Sequence, residues 1–127
     1  MAVDDAGFAA LLDRLAAGWN AGDAVAAAAC FTTDVDYGDP TRYRFTSRAA
    51  LLPFFEPPPS GHHVTWHRIL FDAAAQAGVA EYTYEGHHRY HGAAIVELSP
   101  EGLIARWREW QHLDDQRDWA SYLAGPD

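Results

Sequence analysis

The chain has 127 residues, of which 49% are hydrophobic and 13% aromatic, so it suits one domain spanning residues 1–127 with a substantial core. A formal net charge of −9 argues against nucleic acid, which rewards a basic face, and against an anionic membrane surface. The single cysteine, Cys30, rules out an intrachain disulfide.

The opening MAVDDAGF is acidic and lacks a basic-then-apolar signal segment. The longest apolar run, residues 24–31, is too short to span a bilayer. A soluble, cytoplasmic protein is the expectation. Phe8, Leu11, Leu12, Leu15 and Trp19 recur at helical spacing and predict a first helix. Asp4 or Asp5 caps its start, and Asn20-Ala21-Gly22 ends it. Asp23 then caps an alanine-rich second helix to about Phe31, which Thr32-Thr33-Asp34 terminates. Val35-Asp36-Tyr37 reads as a short strand closed by Gly38. A third helix starts at Thr46 or Ser47 and ends near Phe55, with Pro53 late in it and Pro57-Pro58-Pro59 forbidding continuation.

The second half changes character. HVTWHRILF, VAEYTYEG, YHGAAIVEL and LIARWREWQHL are rich in β-branched and aromatic residues and predict strands from about residue 63 to 113. Residues 75–78 and 99–102 are hairpin-like, and 87–89 read as a third turn, so the strands form an antiparallel meander. A short helix over 118–123 closes the chain. Helices followed by a bent sheet give an α+β domain: a cone-shaped curved antiparallel (mixed) sheet against about three N-terminal helices. A cone leaves a cavity.

WNAGD at 19–23, FTTDVDYGDP at 31–40, YHG at 90–92 and GLIARWREWQ at 102–111 together resemble the nuclear transport factor 2-like superfamily, in its SnoaL-like branch. The resemblance covers nearly the whole chain and implies the cystatin-like roll. It implies a fold shared by isomerases, dehydratases, cyclases, epoxide hydrolases and proteins that only bind, and so does not select an activity. Asp39-Pro40 matches the strand-ending Asp-Pro of the ketosteroid isomerases. Their two oxyanion donors fall at Leu15 and Ala94 here, so both donors are absent and that form of the chemistry is excluded. Tyr37-Gly38-Asp39 and Trp107-Arg108-Glu109 resemble segments of the limonene epoxide hydrolases, but VAEYTYEG lacks the arginine their pocket needs.

Strand alternation puts Trp107, Glu109 and Gln111 on one face and Arg106, Arg108, Trp110 and His112 on the other. The resemblance implies that the odd-numbered set faces inward, with Tyr37 and Asp39, and that Trp19 reaches the same space. Two carboxylates in an apolar pocket favour one protonated and one ionised group, an acid and a base at one pH. Asp39 is therefore the candidate general base and Glu109 the acid or water-positioning partner. Tyr37 and Gln111 are the expected orienting groups, and Trp19, Phe54 and Trp107 the apolar walls. Simple pairing of each carboxylate is the competing reading: Glu109 with Arg89 or a histidine, and Asp39 as a turn cap or with Arg42 or Arg44.

His62, His63, His67, His87, His88 and His91 raise a metal question. No helical His-x-x-x-His or cysteine pair accompanies them, so no metal site and no cofactor is expected. Trp110, facing outward, is expected at a homodimer interface on the outer sheet face. The sequence thus implies a binder of a small apolar molecule, either a cofactor-independent lyase, isomerase or hydrolase, or a non-catalytic binding or interaction module with a self-filled pocket.

Overall fold

The computed structural model describes residues 2–126. Asp4 caps α1 (Asp5–Asn20), its side chain accepting from the Gly7 amide. The predicted stripe forms: Phe8, Leu11, Leu12 and Leu15 are fully buried, and Trp19 nearly so. Asp23 caps α2 (Ala24–Ala28) through the Ala26 amide.

Here the chain departs from expectation. The second helix stops at Ala28, and β1 (Phe31–Asp39) takes up Phe31 and the Thr32-Thr33-Asp34 segment expected to end the helix. β-Branched threonines suit a strand, and buried Phe31 anchors it opposite Ile104. The strand runs through Gly38, whose absent Cβ would sit 2.8 Å from the Tyr43 carbonyl oxygen of the returning strand. That returning strand, β2 (Tyr43–Phe45), was not anticipated; three residues beside a turn carry too little periodicity to announce themselves.

Ser47 caps α3 (Arg48–Phe55), and its side chain accepts from the Ala50 amide. The four later strands follow as predicted: β3 (His63–Asp72), β4 (Ala77–Glu85), β5 (Arg89–Leu98) and β6 (Ile104–Leu113). Asp118 caps the closing α4 (Trp119–Ala124). The sheet order is β2-β1-β6-β5-β4-β3. All pairings are antiparallel except β1 with β6, which is parallel and seats β1 between β2 at the edge and β6.

Register shifts interrupt the ladder within β1, in β3 between Trp66 and Ile69, and between Glu97 and Leu98. Each such irregularity bends and twists a strand, so the sheet curves over α1 and α3 rather than lying flat. The concave face buries Phe31, Val35, Val96, Ile104 and Trp107 against the α1 stripe and Leu51.

One side chain ties helix to sheet edge. Asn20 accepts from the Val64 amide at 2.7 Å and donates to the Val64 carbonyl at 3.1 Å, mimicking a strand partner for β3. Trp66 Nε1 donates to the Leu12 carbonyl at 2.9 Å and repeats the tie about two turns earlier in α1. Asn20→Ala should therefore cost about 1–3 kcal/mol, because it leaves two backbone groups unmade at the edge of the core. Urea unfolding of the variant checks this, and an unchanged midpoint refutes it.

Candidate functional site

The concave face does not fill. A cavity of about 210 Å³ remains between α1, α3 and the sheet. Trp19, Tyr37, Phe54, Trp107, Glu109 and Gln111 all line it. The parity argument holds along β6: Trp107 and Glu109 are buried, and Trp110 is 48% exposed on the opposite face. Tyr37 stacks on Trp107, with ring centroids 5.8 Å apart and planes 4° from parallel. Trp19 meets Trp107 edge-on at 6.1 Å. These rings bound the space without closing it. Phe54, 39% exposed, extends the wall toward solvent.

Glu109 is the chemical centre of this cavity. It is only 5% exposed. Its Oε1 accepts from Trp107 Nε1 at 2.6 Å and from the Tyr37 hydroxyl at 3.2 Å. Its Oε2 accepts from the Tyr43 hydroxyl. Behind Tyr43 stands a relay: Tyr82 donates to Gln111 Oε1 at 2.8 Å, and Gln111 Nε2 donates to the Tyr43 hydroxyl at 3.0 Å. Every hydrogen in this network points toward Glu109.

Burial pushes the Glu109 carboxyl above the ordinary carboxylate range; the bonds from Tyr43, Trp107 and Tyr37 pull it back, and the charge of Asp39 adds to the upward push. Tyr37, Tyr43 and Tyr82 are all raised, first by burial and then by the Glu109 charge, so they stay protonated donors. No arginine or histidine pairs with Glu109 among the described residues; phenols and an indole satisfy it instead.

Small residues on β5 make the network fit. Ala94 lies opposite Glu109, and Gly92 lies between Tyr82 and Gln111. A Cβ on Gly92 would come within 2.8 Å of Gln111 Cβ and 3.0 Å of the Tyr82 hydroxyl. Glycine there lets the Tyr82–Gln111 bond pass across the strand between them.

Asp39 takes a different place from the one expected. It shares Tyr37's inward parity and is 7% exposed, but it is not part of the cavity wall. Its Oδ1 accepts from the Thr41 amide at 2.9 Å and from the Thr41 hydroxyl at 3.0 Å. The carboxylate caps the turn between β1 and β2 instead of standing free beside Glu109, because Pro40 and Thr41 bring a backbone donor within reach two residues on. It acts on the cavity through its charge.

The cavity also uses residues that the sequence reading passed over. Tyr43 comes from the unanticipated β2, and Arg42 from its turn. Tyr82 and Tyr84 on β4 and Tyr90 on β5 share the inward face. Alternation within VAEYTYEG, read against Gly92, would have found the first two. His62 lines the wall with Nδ1 2.9 Å from the Tyr84 hydroxyl and Nε2 buried without a partner. His67 and His91 are neighbours, their ring centroids 5.9 Å apart, with His67 meeting Thr83 and His91 3.6 Å from Glu81, while His88 meets Asp115. No group of three or more metal-ligating side chains gathers among the described residues.

Two outcomes follow from this geometry. Glu109 binds its proton more tightly folded than unfolded, so its contribution to stability is full below the ordinary carboxylate range and is lost as pH rises through its raised value. The stability of Glu109→Gln relative to the native chain should therefore grow with pH across that window and be flat below it; a pH-independent difference in urea melts refutes a raised value. Gly92→Ala should destabilise by about 1–3 kcal/mol through overpacking, read in the same melts.

Comparison with known proteins agrees with this architecture. Residues 12–107 match the model of the SnoaL-like domain. No curated protein matches the chain significantly in sequence. A protein of unknown function with a cystatin-like fold from Methylobium petroleophilum PM1 superposes with a TM-score of 0.77 at 19% identity, over 96% of this chain and 93% of that one. A candidate ketosteroid isomerase from Kribbella flavida DSM 17836 gives 0.73 at 24% identity, over 91% and 85%. An LEH-like epoxide hydrolase from M. tuberculosis gives 0.70 at 17% identity, over 84% of each chain. At these identities the structural likeness shows the fold alone. With a family match across most of its length, the chain belongs to the SnoaL-like domain family.

Proposed function

We propose that residues 1–127 are one SnoaL-like domain that binds a small, mostly apolar molecule, and that it is a cofactor-independent lyase, isomerase or hydrolase with Glu109 at its centre. The observation that carries this reading is a buried carboxyl in an open aromatic cavity, with every neighbouring donor turned toward it. A fixed shell of donors holds the group in one orientation, and burial raises its proton affinity, which makes it a better base near neutral pH. The cavity's 210 Å³ falls below the usual range of about 300–1,000 Å³ for ligand sites, so the ligand is small.

In this reading Glu109 moves the proton. Tyr43, half-buried and bonded to both Glu109 and Gln111, presents its hydroxyl to the ligand. Asp39 tunes Glu109 through its negative charge and anchors the β1–β2 turn. Tyr37 and Gln111 orient, while Trp19, Phe54 and Trp107 supply apolar wall. The isomerase and epoxide-hydrolase names of the structural neighbours are compatible with acid–base work on this fold. A non-catalytic binding domain is the second reading, favoured by Leu15 and Ala94 standing where the isomerases carry their oxyanion donors.

A thermal-shift screen of small carbonyls, epoxides and alcohols tests binding. For any compound that is turned over, Glu109→Gln should lower kcat by about a hundredfold or more, as expected for loss of a general acid–base. Asp39→Asn should lower it less. Turnover undiminished in Glu109→Gln removes it from the mechanism, and binding without turnover supports the second reading. We place the domain in the cytoplasm, consistent with a free buried Cys30. We also propose a homodimer through the outer sheet face around Trp110, with no nucleic-acid or membrane partner. Light scattering at high concentration checks the dimer, and a monomer refutes it.

A further inference from the structure

The cavity wall carries one permanent cation. Arg42, on the β1–β2 turn, reaches the mouth, where its Nη2 donates to the Tyr90 hydroxyl at 3.1 Å and its guanidinium lies 4.8 Å from the Tyr90 ring centroid. The two contacts fix the planar group across the opening. Four other arginines, Arg44, Arg106, Arg108 and Arg117, each meet a carboxylate within 4 Å. Arg42 meets none among the described residues, and its remaining side-chain donors make no hydrogen bond there. Asp39, the carboxylate that acts on it through space, is engaged by Thr41. A guanidinium presents five N–H donors, so most of this one's capacity is unspent.

The deep end of the same cavity has the opposite character. Glu109 lies on the rung of Ala94 and Ala80, while Tyr90 lies two inward-facing positions along β5 from Ala94, toward the mouth. An anionic group is repelled from Glu109 and drawn to Arg42. The aromatic walls between them accept an apolar body. Resting on the ligand-site reading above, we propose that Arg42 binds a carboxylate of the ligand, so that the molecule taken is a small monocarboxylate with an apolar body, held with its acid at the mouth and its far end at Glu109 and Tyr43. The net charge of −9 repels anions in general, so a carboxylate is held only where a local cation such as Arg42 offsets that field.

The test uses phenylacetate, 3-phenylpropanoate and 4-phenylbutanoate, each against its primary amide, titrated calorimetrically into the full chain. At one chain length or more the carboxylate should bind about five- to thirtyfold more tightly than its amide, as expected for a charge-assisted hydrogen bond at a partly exposed site. That preference should shrink as salt rises from about 20 to about 200 mM. It should vanish in Arg42→Ala and in Arg42→Gln, the second of which keeps a polar but uncharged side chain at the turn. Equal binding of acids and amides, or a preference that survives both substitutions, overturns the assignment of Arg42 while leaving the ligand site standing. Binding of none of the six compounds by the native chain overturns both.

Discussion

Burying the Glu109 carboxylate sets the terms for the rest of the site. A charge that loses water must be repaid by donors in good geometry or it will take up a proton. Three elements supply those donors: Tyr37 from β1, Tyr43 from β2, and Trp107 from the same strand as Glu109. The parallel pairing of β1 with β6 brings the first of these into place, with Tyr37 directly opposite Trp107. The antiparallel return of β2 supplies the second, with Tyr37 opposite Phe45. The site therefore depends on side-chain hydrogen bonds between residues about seventy positions apart in sequence.

The same requirement explains why the cavity stays open. Aromatic side chains are rigid and bulky, and those lining this face meet mostly at tilted or edge-on angles. Rings held by hydrogen bonds cannot collapse freely into the gap. Trp66 is tied to Leu12, Tyr82 to Gln111, and Trp107 to Glu109. Polar anchoring of aromatic walls preserves a hollow that aliphatic side chains would have filled, and Ala94 and Gly92 withhold volume on the strand beneath.

Charge is graded along this hollow. Its deep end holds an acid satisfied by neutral donors, and its mouth holds Arg42 on the turn that Asp39 shapes. Burial chiefly raises Glu109 and the bond to the Tyr90 hydroxyl chiefly raises Arg42, and the field of Asp39 adds to both. A residue whose spacing suggested direct chemistry has become the support of a turn. The sequence reading of Asp39-Pro40 weighed the base against the turn cap; geometry favours the cap because Thr41 offers two donors at once.

Local rules were enough for much of this protein. Helical spacing located the α1 stripe, the caps Asp4, Asp23 and Ser47 stood where side-chain oxygens can reach amides two or three residues on, and period-two alternation sorted Glu109 from Trp110. These depend on neighbours within a few residues, and the chain states them directly. Non-local contact decided the remainder. Whether Phe31 ends a helix or starts a strand turned on the partner Ile104, and whether Asp39 or Arg42 faced the cavity turned on the path of a short β2. Which phenols satisfy Glu109 was settled by pairings that no window of sequence contains, because a buried charge selects its donors in space and not along the chain.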